Sequence, residues 1–164
     1  MSSFLTVRRP ERCIACYCCM QACARVVNRS AHPGHSALRV LPPVSEFSNP
    51  VIRVCQGCIE PGCAQECPRS ALMAQPGGGV KFSPESCTGC GLCAQACPVG
   101  VITMVQVGNT GEDIRENIRK DTWEDSREDS RETPRSRPII CCHCGSCARF
   151  CPQGILAVEV RREA

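Results

Sequence analysis

Cys87-Thr88-Gly89-Cys90-Gly91-Leu92-Cys93-Ala94-Gln95-Ala96-Cys97-Pro98 sets three cysteines at three-residue intervals, a fourth after three more residues, and a proline behind it. In this C-x2-C-x2-C-x3-C-P pattern the first three thiols fall on one tight loop. Gly89, Gly91 and Ala94 are small enough there for backbone amides to approach whatever the sulfurs hold. The fourth thiol ends a short helical turn, and Pro98 stops that turn because it cannot donate the next helix hydrogen bond. The spacing predicts a unit that presents sulfur rather than one that buries a broad apolar face.

Three further runs repeat the theme. Cys13, Cys16, Cys19 and Cys23 keep the same spacing, but Ala24 follows in place of proline, so the local helix is expected to continue through Arg25-Val26-Val27. Cys55, Cys58, Cys63 and Cys67-Pro68 have four residues between the second and third cysteines. Pro61-Gly62 there makes a turn that lets the loop bulge and still return its third thiol. Cys141, Cys144, Cys147 and Cys151-Pro152 restore the original spacing. The four runs use 16 of the 18 cysteines. Cys18 and Cys142 stand out of register and read as small buried thiols.

Cysteine at 18 of 164 residues, about 11%, puts the chain among cysteine-rich proteins. Without cysteine, the apolar fraction of 43% falls to about a third, and aromatics are 4%. So thin a core needs bound groups to supply folding free energy. Sixteen thiolates in four runs of four match four [4Fe–4S] clusters, each taking four cysteines. Structural zinc also uses C-x2-C, but as two pairs across an intervening segment, without a third cysteine two residues on or the closing proline. A disulfide framework is disfavoured because the chain reads as cytoplasmic, where thiols stay reduced. The formal charge of +3 would become about −5 with four doubly negative thiolate-ligated clusters, so it does not argue for nucleic acid. No stretch approaches the roughly 20 apolar residues of a membrane span. Arg8-Arg9 is followed by no apolar stretch and reads as a surface pair rather than an export signal.

Strands are expected at Phe4-Leu5-Thr6-Val7, Ala37–Leu41, Pro50–Val54, Gly100–Val107 and Ile155–Val160. A hairpin is expected where Ser70–Met73 and Val80–Phe82 flank Pro76-Gly77-Gly78-Gly79. Residues 28–49 read as a loop-rich insertion whose His32 and His35 are surface residues. Residues 108–138 contain no cysteine and are dense in mixed charge, with Glu124–Arg127 and Glu128–Arg131 at helical spacing. They read as a solvated linker or as an arm that lays Ile114, Ile118 and Trp123 on a partner.

The order of the runs, including the longer gap in the second, resembles the four-cluster electron-transfer subunits found beside molybdenum or tungsten pterin enzymes and nickel–iron hydrogenases. Those of dimethyl sulfoxide reductase, formate dehydrogenase and formate hydrogenlyase are examples. The family usually has His before the second cysteine of the second run and Pro-Pro before its third; here Gly57 and Pro61-Gly62 stand in those places. The small size also resembles the electron-transfer subunit of bacterial tungsten aldehyde oxidoreductase complexes. The resemblance implies an α+β fold of two bacterial-ferredoxin-like units, one inserted in the other. Residues 1–50 and 139–164 would form the outer unit, 51–107 the inner unit, and 108–138 the connection. It also implies crossed ligation, in which the fourth cysteine of a run serves the other cluster of its unit. Cys55, Cys58 and Cys63 would then take Cys97; Cys87, Cys90 and Cys93 would take Cys67. In the outer unit Cys13, Cys16 and Cys19 would take Cys151, and Cys141, Cys144 and Cys147 would take Cys23.

With every iron carrying its cysteine, no position is left for substrate, and no catalytic triad, nucleotide-binding glycine loop or flavin motif accompanies the runs. The expected function is electron relay between a large catalytic oxidoreductase subunit and a second redox partner, such as a flavin subunit that meets a nicotinamide. The alternatives are a free soluble polyferredoxin and the electron-transfer subunit of a hydrogenase or formate dehydrogenase; such a subunit could also join complexes into longer assemblies.

Overall fold

The computed structural model describes residues 2–45, 48–106 and 136–161. Most of the charged tract, with Ile114, Ile118, Trp123 and its helical-spacing ion pairs, lies outside them. The described chain is a small mixed structure of short strands and helices. In order these are β1 (Ser2–Val7), α1 (Cys18–Asn28), β2 (Arg39–Leu41), β3 (Val51–Arg53), α2 (Gly62–Gln65), β4 (Leu72–Ala74), β5 (Val80–Phe82), α3 (Leu92–Gln95), β6 (Thr103–Gln106), β7 (Ser136–Ile139), α4 (Ser146–Arg149) and β8 (Leu156–Arg161). No helix among the described residues is long and apolar enough to cross a membrane.

The strands pair as four separate antiparallel ribbons, β1 with β8, β2 with β3, β4 with β5 and β6 with β7. The first closes the two ends of the described chain on each other, with Leu5 opposite Val158 and Val7 opposite Leu156. The hairpin β4–β5 turns at the expected glycines, with Leu72 opposite Phe82. The ribbon β6–β7 differs from expectation, because Ser136–Ile139 form a strand where the connecting tract was expected to run to 138. Pro138 is tolerated opposite Met104 because a two-stranded ribbon consists of edges, where a missing N–H need not break a ladder. The ribbons β2–β3 and β6–β7 are tied by the Arg39 guanidinium, which donates to Thr103 Oγ1.

Helix lengths follow the prolines. The three helices in runs that end in Cys-Pro are four residues each, whereas α1, with Ala24 in place of proline, runs for 11 residues to Asn28. Two-stranded ribbons are marginal on their own, so they depend on what packs between them. One core gathers Leu5, Met20, Leu38, Val40, Val54, Val105, Ile139 and Leu156 around buried Cys19, Cys23, Cys141 and Cys147. A smaller one sets Leu72 and Ile140 about Cys93, with Val80, Phe82 and Ile102 packed on it. Cysteines are therefore core residues here, and the insertion is not merely loop. Ser36, Ala37, Leu38 and Val40 are buried, and Ser36 Oγ donates to the Leu38 carbonyl at 2.6 Å.

Candidate metal centres

Each run opens with the same backbone turn. The residue two after the first cysteine is left-handed in all four: Ala15 (φ 50°), Gly57 (57°), Gly89 (72°) and His143 (53°). That conformation bends the chain so that the following thiol returns toward the first. In two runs it also aims the turn's own N–H at the first sulfur, Gly89 N to Cys87 Sγ and His143 N to Cys141 Sγ, both at 3.4 Å. Ala15 and His143 hold it at a strain of about 1–2 kcal/mol that glycine avoids. In three runs a second left-handed residue follows the second cysteine and caps the helix that carries the third: Tyr17, Gly91 and Gly145. The second run lacks it. Extended Pro61 caps α2 instead, which is how its two extra residues are absorbed. After the fourth cysteine, the three Cys-Pro runs close with a third left-handed residue, Ser70, Gly100 or Gly154, whose N–H donates to the carbonyl of Cys67, Cys97 or Cys151.

These turns gather thiols from different runs. Burial and then Cys151, with Cys16 and Cys13, push the Cys19 thiol up to about 12. Burial, then Cys23 and Cys144, push Cys147 up to about 12. Burial raises Cys23 to about 11, with Cys144 and Cys142 adding to it, against the Ala37 N–H that donates to its sulfur at 3.3 Å. Burial and the neighbours Cys55, Cys97 and Cys58 raise Cys63 to about 11. Burial, Cys87 and Cys90, with a smaller contribution from Cys67, raise Cys93 to about 11. In the outer runs Cys151, Cys16 and Cys13 act on Cys19, and Cys23 and Cys144 act on Cys147. In the inner runs Cys55, Cys58, Cys63 and Cys97 line one cavity, and Cys67, Cys87, Cys90 and Cys93 line another.

Cysteines of different runs also act on one another in pairs. Cys19 acts on Cys147, and Cys93 acts on Cys63. Between these pairs, Cys55 and Cys141 line the same cavity. The neighbouring Cys141, with His143 helping and burial opposing, pulls Cys55 below its ordinary value, while Cys141 is driven well above its own by Cys55 and by burial. At Cys67 burial works upward, but the backbone amides of Leu72, Arg69, Ala71 and Ser70 outweigh it and the thiol is lowered. The Ala71 amide lies 3.3 Å from that sulfur.

The donor chemistry fits a cluster cofactor. Buried thiols that resist ionisation beside one another are stabilised as thiolates by a shared cationic centre, and backbone N–H groups directed at sulfur disperse the charge that remains. All eighteen cysteines are free. Among the described residues, no group of three or more His, Cys, Asp or Glu converges on a point that would hold a single ion. A cubane, with one iron per thiolate, spreads its ligands wider than a single ion does. An enclosed, largely apolar cavity is lined by Cys55, Cys58, Cys63, Cys97 and Cys141 together with Val101 and Ile140. A second is lined by Cys67, Cys87, Cys90 and Cys93, with Leu72 and Met104.

Two expectations change. Cys18 and Cys142 are exposed, not buried. Each has its thiol raised by a cysteine of its own run, Cys18 by Cys16, and Cys142 by burial and then Cys144. His143 was passed over in the sequence. Its Nε2 lies 3.7 Å from Cys55 Sγ, and the signal that could have found it is its place where the second and third runs carry glycine. His32 and His35 stack at 5.0 Å on the insertion, and His35 Nδ1 bonds Ser30 Oγ at 2.8 Å.

Residues 80–103 match the 4Fe-4S binding domain family, so a ferredoxin-type iron–sulfur segment spans the third run. Over longer stretches the chain is similar to hydrogenase-4 component A of Escherichia coli, 35% identical over 97 residues, 59% of this chain and 45% of that one. It is similar to a ferredoxin of Methanocaldococcus jannaschii, 30% identical over 102 residues, 62% of this chain and 58% of that one. It is also similar to an iron–sulfur protein of Rhodospirillum rubrum, 32% identical over 103 residues, 58% of this chain and 53% of that one. The chain spans roughly half the length of these relatives.

Proposed function

We propose that the chain is the electron-transfer subunit of an oxidoreductase complex and holds four [4Fe–4S] clusters in a row. The observation that supports this reading is that two cavities are each lined by three cysteines of one run and the fourth of another, while Cys151 acts on Cys19 and Cys23 on Cys147. Cys13, Cys16, Cys19 and Cys151 would hold the first cluster and Cys23, Cys141, Cys144 and Cys147 the second. Cys55, Cys58, Cys63 and Cys97 would hold the third, and Cys67, Cys87, Cys90 and Cys93 the fourth. Each cluster, when bound, accepts and gives up one electron at a time. The pairing of β1 with β8 supports an outer ferredoxin-like unit made from both ends of the chain around an inner one. Cys55 and Cys141, which line one cavity, lie where the two units would meet.

The protein's own work is insulation and charge dispersal. The apolar walls shield the buried thiols Cys19, Cys23, Cys93, Cys141 and Cys147 from water, and the backbone amides at Cys87, Cys141, Cys23 and Cys67 stabilise negative charge on the sulfurs they meet. Full thiolate ligation would leave no position for substrate, so the chain carries electrons and its partner performs the chemistry. The partner is a large catalytic subunit of the molybdenum or tungsten pterin class, the tungsten aldehyde oxidoreductases among them, or a nickel–iron hydrogenase. The hydrogenase reading is favoured by the similarity to a hydrogenase-4 component.

The test is an anaerobic pull-down from the native host with iron, zinc, nickel, molybdenum and tungsten measured on the eluate. About 16 irons per chain, with one of the three heavier metals in a large co-eluting subunit, is the expected result. The same iron on a chain that elutes alone would make it a free polyferredoxin. Zinc without iron would overturn the reading.

A further inference from the structure

We propose that His143, carried by the fourth run, is a positioning residue that donates its Nε2–H to Cys55 Sγ of the second run and thereby raises the reduction potential of the cluster that Cys55 would hold. The inference rests on the cluster reading above and adds a residue that the runs do not include.

The geometry is built rather than incidental. Nε2 lies 3.7 Å from Cys55 Sγ, within reach of a hydrogen bond to sulfur. The ring sits in a cradle of two left-handed glycines. A Cβ on Gly57 would come within 3.3 Å of its Cε1, and one on Gly79 within 3.2 Å of its Nε2. Gly57 is the turn residue of the run that Cys55 opens, and the Gly79 N–H donates to the Cys58 carbonyl at 2.9 Å. Both cradle walls therefore belong to the Cys55–Cys58 loop or are bonded to it. The ring's other nitrogen, Nδ1, is buried and has no partner among the described residues, so no competing bond there turns the ring away from Cys55. The His143 backbone N–H meanwhile donates to Cys141 Sγ at 3.4 Å. One residue thus contacts a sulfur of each of the two central sets, by its backbone on one side and its ring on the other.

The consequence follows from charge. Adding an electron increases the negative charge on the thiolate sulfurs, and an N–H aimed at one of them stabilises the reduced form more than the oxidised form. Removing the donor makes that one cluster harder to reduce. Because Cys55 faces Cys141, the altered step would be the one at which electrons pass between the two units.

The experiment is an anaerobic potentiometric titration, followed by electron paramagnetic resonance, of the full chain loaded with iron and sulfide. Wild type, His143→Ala and His143→Gln are compared with iron counted in each. Alanine keeps the left-handed backbone at similar strain, and the glutamine amide restores a donor near the position of Nε2. The expected result is one reduction step shifted to lower potential in His143→Ala, the other three unmoved, iron unchanged, and recovery in His143→Gln. Unmoved steps at full iron content would overturn the inference. Should His143→Ala lose iron, wild type labelled with 15N-histidine decides the matter, with a His32→Gln/His35→Gln chain leaving only His143 labelled. Nitrogen hyperfine coupling on a reduced cluster supports the bond, and its absence overturns it. A wild type that takes up no iron would remove the cluster reading and this inference with it. A wild type with about 16 irons and neither shift nor coupling would remove this inference alone.

Discussion

Arg161, the last residue of β8, donates through Nη1 to the Gly57 carbonyl at 3.0 Å, and the same nitrogen donates to the Gly77 carbonyl at 3.0 Å. Its guanidinium carbon also lies 4.9 Å from the centroid of the Phe4 ring on the paired strand β1. The end of the described chain thus clamps the loop between Cys55 and Cys58 to the terminal ribbon.

Arg161→Ala should therefore act on a site more than a hundred residues away in sequence. Hydrogen bonds from a charged donor are worth about 1.5–3 kcal/mol. Arg161 is half-buried, so about 1–2 kcal/mol is expected, a fall in Tm of roughly 2–8 °C. Arg161→Lys should recover only part of this, since an ammonium cannot both stack on Phe4 and fork to two carbonyls. Thermal unfolding followed through the cluster absorption checks both. Full stability of the alanine variant would mean that the clamp carries no net energy.

Leu38→Ala tests the insertion. Leu38 is fully buried, so the substitution should cost about 2–5 kcal/mol. Its neighbour Ala37 donates to Cys23 Sγ, so iron should be lost first from the set containing Cys23. Chemical denaturation and iron counting would show this. A cost under about 0.5 kcal/mol, the ordinary scale of a surface change, would return the segment to the status of a loop.

What was legible and what was not divides along physical lines. The runs announce their turns and helices because local chemistry sets them: Pro68, Pro98 and Pro152 end four-residue helices, and Ala24 lets α1 continue. Strands beside the runs were legible from β-branched residues, though β6 is shorter than Gly100–Val107 suggested. The partners were not, because a two-stranded ribbon three or four residues long offers little pattern to choose a mate. Leu38 was unreadable as core because its burial comes from α1 and distant strands, not from its own periodicity. β7 was hidden by Ser136, Arg137 and Pro138, which look like linker and become strand only because β6 stands opposite. His143 was missed because its role depends on Cys55, which is 88 residues away in the chain.

Gly89 and Gly154 form a matched pair for backbone strain. Both are left-handed, at φ 72° and 59°. A Cβ on Gly89 would overlap the Ser136 carbonyl oxygen, whereas one on Gly154 meets nothing within 4 Å. Gly154→Ala should cost only the left-handed penalty of about 1–2 kcal/mol. Gly89→Ala should cost more, because β7 must also shift, and the Ser136 Oγ bond to the Gly89 carbonyl at 3.1 Å should break with it. Unfolding of the two variants side by side gives the difference. Equal costs would mean that the β7 contact yields freely.

The crossed thiol sets make the sharpest prediction, because iron counts in double variants are not additive when two ligands share a cluster. Cys97 sits at the end of the third run but stands with Cys55, Cys58 and Cys63. If it serves their cluster, Cys55→Ala/Cys97→Ala removes two ligands from one site, and about 4 of about 16 irons are lost. Cys87→Ala/Cys97→Ala instead strikes two sites, and about 8 are lost. If each run holds its own cluster, the outcomes exchange, with about 8 irons lost in the first variant and about 4 in the second. Anaerobic reconstitution followed by iron and protein quantification reads the difference directly. The outer unit repeats the test with Cys13→Ala/Cys151→Ala against Cys141→Ala/Cys151→Ala. There the first pair should lose about 4 irons, because Cys13 and Cys151 both lie beside Cys19.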